Sequence, residues 1–251
     1  MLTVGVDLAA EPARTAVAAI RWSADDATVT QLTVGADDRA ILAAIADADK
    51  AGIDCPLGWP APFVDFVAAH QANRFAAPDD VAGPDWRRQL AYRQTDLAVR
   101  DATKLWPLSV STDRIGITAM RCADLLARLA RNDQPVDRSG AGVVVEVYPA
   151  ASLSTWDLPH RRYKGAPNLD QLRALADALS SAAPWLTFGR HDADCRRSDH
   201  AFDAVVAALT ARAAALGQTT GPPEHQASAA ATEGWIAVPT QPLSALLGPA
   251  P

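Results

Sequence analysis

The stretch Leu2-Thr3-Val4-Gly5-Val6-Asp7-Leu8 decides the reading of this chain, because an alternating apolar run there reaches an aspartate. A carboxylate at a buried strand tip costs free energy unless something cationic neutralises it. Far downstream, Ser198-Asp199-His200-Ala201-Phe202-Asp203 opens a helical pattern that runs on through Ala211 and carries two more acids. Asp199 and Asp203 are four residues apart and share a helical face. A strand carboxylate met by helix carboxylates is a donor set for hard divalent cations, and from there for hydrolysis of phosphate esters.

Working outward, the turn Ala9-Ala10-Glu11-Pro12 closes the first strand. Residues 14–22 and 27–34 predict two more strands, and so an antiparallel three-strand meander. Residues 37–49 predict a helix, with Ile41, Leu42 and Ile45 at helical spacing and Asp37 or Asp38 as N-cap. Gly52 through Gly58 follows as a short strand ending in a Pro/Gly turn. Residues 60–138 carry no strand alternation of any length. Helices are expected near 61–72, 84–104 and 117–132, the last with Leu125, Leu126 and Leu129 on one face. This reads as a helical insertion between strands 4 and 5 of a single domain, 1–251. Gly142 through Pro149 returns to a buried, β-branched strand, and helices follow around 168–182 and 199–216. In the last, Phe202, Val205, Val206, Leu209 and Leu216 form an apolar stripe, and many alanines permit close approach to a sheet. Gly5, on the same strand face as Asp7, leaves room for that approach. Residues 217–232 read as a mobile loop. The whole is an α/β order that resembles the RNase H-like layout, a mixed five-stranded sheet flanked by helices on both faces.

Almost half of the 251 residues are hydrophobic and about a fifth are charged, as in an ordinary globular enzyme. A formal net charge of −6 argues against a general nucleic-acid coat, yet local patches, not the total, hold phosphates. Basic residues gather between Arg74 and Arg131, interleaved with acids, which reads as a solvated helical surface. Cys55, Cys122 and Cys195 are widely separated and show no paired ligand spacing, so a reducing, cytoplasmic setting is expected. The chain enters a strand almost at once, so no signal peptide is expected, and no apolar run approaches membrane-spanning length.

If strands 1 and 4 are parallel neighbours, Asp7 and Asp54 sit at matching C-terminal ends about 4.8 Å apart. Two ions of a hydrolytic pair lie roughly 3.5–4 Å apart, so these carboxylates have the right dimensions. Glu146 belongs to the next strand out and reaches the site only through its longer side chain or a water. An acid inside that apolar strand needs a cation or strong donors. Read alone, Asp7 opens a turn, Asp54 before Cys55-Pro56 is a common turn residue, and Asp199 is an N-cap. Asp203, inside the helix, is therefore the better ligand candidate of the two. Oxygen-only donors favour Mg²⁺ or Mn²⁺ over zinc.

The segments Val4-Gly5-Val6-Asp7-Leu8-Ala9, Ile53 through Gly58, Arg93-Gln94-Thr95-Asp96, Glu146-Val147-Tyr148-Pro149-Ala150, Tyr163-Lys164, Asp199 through Ala211 and Glu233-Gly234-Trp235-Ile236 occur in one order over nearly the whole chain. In this they resemble the domain-of-unknown-function family 429, whose members are regarded as nucleases of RNase H-like fold. The resemblance implies a metal-dependent nuclease acting on nucleic acid or another phosphodiester, by analogy of fold. Arg93 and Asp96, three apart, either pair with one another or reach phosphate and metal. Lys164 is a solvated loop lysine or a neutraliser of charge developing on phosphate. Glu233 orders the tail or adds an outer carboxylate, and His200 is a candidate proton donor. His160, His191 and His200 show no ligand spacing as a set. Two other readings stand beside the nuclease. An ATP-dependent phosphotransferase needs glycine-rich phosphate turns, and Leu8-Ala9-Ala10-Glu11-Pro12 has no glycine. A non-catalytic binding or scaffold protein would retain the acids without working metal.

Overall fold

The computed structural model describes residues 1–76, 84–132, 134 and 136–248. The three-strand meander forms as the alternation predicts. Strand β1 (Leu2–Asp7) pairs antiparallel with β2 (Ala16–Trp22), and β2 with β3 (Ala27–Val34). Helix α1 (Asp38–Ala46) follows, capped by the Asp37 carboxylate, which accepts from the Ala40 amide at 2.8 Å. Strand β4 (Lys50–Asp54) then returns parallel to β1, starting two residues before the predicted Gly52 and ending before the Cys55–Gly58 turn.

The region after β4 is helical: α2 (Ala61–Gln71), α3 (Pro84–Ala91), α4 (Gln94–Thr103) and α5 (Ile115–Arg131). The single helix expected over 84–104 is two. The chain breaks at Arg93, whose extended backbone (φ −77°, ψ 165°) lets its amide donate to the Asp96 carboxylate. α5 is no appendage: Leu125, Leu126 and Leu129 pack with Ile41 and Ile45 of α1 over one face of the sheet.

Strand β5 (Val144–Glu146) pairs parallel with β4 and is shorter than the apolar run 142–149, because Pro149 starts helix α6 (Pro149–Thr155). Helix α7 (Leu169–Ala182) leads to β6 (Leu186–Thr187), which pairs parallel with β3. The mixed sheet therefore has six strands, ordered β5-β4-β1-β2-β3-β6, and not the expected five. A two-residue strand is too short for alternation to reveal, and only its pairing with Ala27 and Thr28 defines it.

Helices α8 (Asp192–Cys195), α9 (Asp199–Ala215) and α10 (Ala227–Glu233) complete ten α-helices among the described residues. The expected loop 217–232 thus includes most of α10. Helix α9 is not a one-faced amphipathic helix. Residues 201–213 are buried all round, with the sheet on one side and α6 and a C-terminal turn (Leu243–Leu247) also packed on it. Predicted stripe residue Leu216 lies beyond this stretch and is half-buried. Gly5 and Gly52, side by side in β1 and β4, make room for it. A Cβ at Gly5 would strike the backbone of Ala204 and Ala208, and one at Gly52 would lie 2.6 Å from the Ala207 carbonyl oxygen. This close seating fixes how far the acids of α9 stand from the strand tips.

Candidate metal centre

Asp7 and Asp54 end β1 and β4 and are register partners, so parallel pairing alone puts them side by side. Ser198 caps α9 by accepting from the Ala201 amide, which makes Asp199 the first helical residue and not the cap. One turn further, Asp203 is buried and points at the same strand ends. Carboxylate oxygens of Asp7, Asp54 and Asp203 all lie within 4.8 Å of one another.

The charge is only partly answered by the protein. Lys164 Nζ lies 2.6 Å from Asp203, and the Tyr163 hydroxyl donates to the other Asp203 oxygen at 2.8 Å. His200 Nδ1 is 2.6 Å from Asp7. Among the described residues no hydrogen bond reaches the Asp54 side chain. Burial, together with the charges of Asp7, Asp203 and Glu146, pushes the Asp54 carboxyl well above its usual range, against the pull of Lys164. Burial likewise lifts Asp203 to about 6, with Lys164 opposing and Asp7 adding. Burial works against the Lys164 ammonium, yet Asp203, Tyr163, Asp54 and Asp7 hold it well above its ordinary value. The hydrogen bond to Asp7 raises His200, although burial opposes it. Three convergent hard oxygen donors, of which Asp54 and Asp203 are pushed up by burial, fit a hard divalent cation.

The other predicted residues take other partners, although Arg93, Glu146 and Asp199 also line the cavity that Asp7 and Asp54 enter. Glu146, one register position short of Asp54, turns away from the triad and receives Arg93 at 2.6 and 2.8 Å and the Leu57 amide at 3.0 Å. Arg93 also grips Asp96 at 2.9 Å and the Glu233 carbonyl at 3.0 Å. All three side chains are buried, so this is a closed ion network beneath the site and Arg93 has no free face for phosphate. Burial disfavours the Arg93 charge, but Glu146 and Asp96 more than offset it and hold it ionised. Asp199 accepts from the Gly165 amide at 3.1 Å and so tethers the loop that carries Lys164. The Glu233 carboxylate receives the Ala61 and Gln94 amides, at the N-termini of α2 and α4, and ties the tail to both.

Three contributors escape sequence reasoning. Tyr163 orients Asp203. Arg121 of α5 donates to the Ala9 carbonyl and the Thr15 hydroxyl, both at 2.7 Å, and pins the turn after Asp7. Arg14 joins the wall of a cavity of about 460 Å³ that also receives Asp7, Asp54, Lys164 and His200. Only Tyr163 left a signal, its place beside Lys164; the two arginines have no short-range pattern.

A family model described as "Protein of unknown function (DUF429)" matches residues 5–228. The chain belongs to this family. No curated protein and no solved structure matches it. The DUF429 match covers the end of β1 and all of β4 and α9, and so all three acids of the triad. No helix among the described residues is long and apolar enough to cross a membrane.

Proposed function

We propose that this DUF429 protein is a metal-dependent nuclease of RNase H-like fold that hydrolyses phosphodiesters. The observation that carries the reading is the convergence of Asp7, Asp54 and Asp203 within 4.8 Å, with Asp7 and Asp54 lining a cavity that also holds Lys164 and His200. The fold assignment is supported by the antiparallel meander flanked by parallel β4 and β5, with helices on both faces.

Asp7, Asp54 and Asp203 would hold Mg²⁺ or Mn²⁺, which when bound polarises a phosphoryl oxygen and lowers the pKa of water. Lys164, half-exposed beside Asp203, offers its ammonium to the non-bridging oxygens of a phosphate. His200 spends Nδ1 on Asp7, which leaves Nε2 to hand a proton to a departing oxygen. Tyr163 and the Asp199–Gly165 bond hold Asp203 and the lysine loop in place. Nucleic acid is the proposed substrate class, and the buried, free cysteines accord with a cytoplasmic location.

The test is Mn²⁺-dependent cleavage of labelled oligonucleotides. Asp7→Asn is expected to abolish it without loss of fold; a variant that still cuts refutes the assignment. One observation favours a second reading, a non-catalytic binding protein: Lys164 and His200 already pair with two of the three acids. A protein whose melting temperature responds to no divalent ion would be that one. Tight ATP binding would favour a phosphotransferase.

A further inference from the structure

A second cavity, of about 350 Å³, is lined by Tyr92, Trp106, Arg88, Arg100, Gln89 and Gln94, together with Pro62, Leu97 and Glu233. Its centre is aromatic. The Tyr92 and Trp106 rings lie 4.7 Å apart, and the Arg100 guanidinium sits 4.5 Å over the Trp106 ring. Trp106 is 45% exposed, unusual for so large an apolar ring held by two neighbours. Arg88 is also exposed, and its ion pair with Asp85 at 3.5 Å is a solvated surface contact that a phosphate can displace at little cost.

The two cavities have no lining residue in common, but consecutive residues of the same segments line one and the other. Along the segment between α4 and α5, burial alternates: Leu105 and Pro107 are buried, whereas Trp106 and Leu108 are exposed. Trp106 faces the aromatic cavity, and Pro107 and Leu108 line the catalytic one. Arg93 and Gln94 divide in the same way. Two residues of chain span at most about 7 Å, the length of about two stacked nucleotides.

We propose that the Tyr92–Trp106 cavity is a binding subsite for single-stranded nucleic acid. It stacks a base on Trp106 while Arg88 and Arg100 take the flanking phosphates, with the neighbouring nucleotides leading over Leu108 to the acidic triad. Aromatic faces bracketed by arginines are how unpaired strands are held without sequence preference. A duplex, with its bases paired and stacked inside, presents no face to Trp106. Gln89 and Gln94 line the same cavity, Gln94 with its side-chain oxygen accepting from Gln226 Nε2 at 3.4 Å. This inference rests on the nuclease reading for its direction, but base stacking is measurable without it.

The experiment uses fluorescently labelled dT12 and rU12 and the full-length protein in EDTA, at low salt, read by anisotropy. Trp106→Ala is expected to weaken binding of at least one of the two about tenfold, and Trp106→Phe to restore most of it. Arg100→Met should weaken binding and flatten its salt dependence. Melting temperatures of the variants establish that the fold is intact, as the exposure of these side chains predicts. Equal affinity of Trp106→Ala and the parent protein for both strands, or no binding by the parent, overturns the subsite. So does a dimer in solution that Trp106→Ala dissolves, since the face would then belong to a second copy. Separately, hydrolysis of bis-p-nitrophenyl phosphate by the parent protein with Mn²⁺ reports the triad alone. The ester untouched, with Trp106-dependent binding, refutes the nuclease and keeps the subsite; the ester cleaved, with no Trp106 effect, does the reverse.

Discussion

Asp203 carries the pH behaviour of the site. Its folded-state pKa of about 6 stands above the ordinary aspartate value, with burial as the main cause, and Asp54 is shifted in the same direction. A carboxyl raised by folding binds more protons folded than unfolded. Its contribution to stability is therefore present at low pH and lost as pH climbs through about 6. In EDTA, Asp203→Asn, which mimics the protonated form, should gain melting temperature relative to the parent as pH rises from about 4 to 7. A cation must displace the same protons, so stabilisation by Mn²⁺ should grow over that window. Thermal melts at four or five pH values check both slopes. Glu146 is the contrasting case. It was a candidate ligand by its place in an apolar strand, and the rule that such an acid needs a cation holds, but the cation is Arg93. Glu146→Gln should cost about 3 kcal/mol in urea unfolding, because it breaks a buried pair. It should leave the Mn²⁺ response intact; loss of that response would make Glu146 a ligand after all.

At the scale of elements, α9 lies against β1 and β4 with almost nothing between the backbones. Gly5→Ala should cost about 3 kcal/mol, because the new methyl meets backbone atoms of Ala204 and Ala208 and no flexible side chain. It should also diminish Mn²⁺ stabilisation, since α9 must retreat and take Asp203 with it. A melt with and without Mn²⁺ measures both, and a Gly5→Ala protein as stable and responsive as the parent would contradict the close seating. The alternation of β1 to β3, the Asp37 cap and the leucines of α5 were all readable, because each signal lies within one element. The break at Arg93 was not readable, because 84–104 is good helix locally and the side chain that ends it is drawn off by Glu146, 53 residues away. For the same reason the 217–232 segment reads as loop, although Glu233 ties its end to α2 and α4.

Across the whole molecule, the triad joins the first strand, the fourth strand and a helix near the C-terminus, so a bound ion cross-links the fold. A divalent cation at 100 times its dissociation constant adds about 2.7 kcal/mol. For a chain of this length that is a rise in melting temperature of roughly 5–10 °C. EDTA should reverse it, and Asp7→Asn should abolish it; a flat response to Mn²⁺ and Mg²⁺ in the parent would remove the metal from the account. The sequence by itself determined the element types over most of the chain, and it marked Asp7, Asp54 and Asp203, since alternation, helical spacing and strand-end position are properties of short segments. Tertiary structure alone decided which acids meet and which are answered by arginine. Asp7 and Asp54 become neighbours through parallel register, Asp203 through a helix seated on two glycines, and Glu146 is withdrawn by Arg93. Electrostatic partnership at a few ångströms depends on chain segments that are distant in sequence, and no local pattern encodes it.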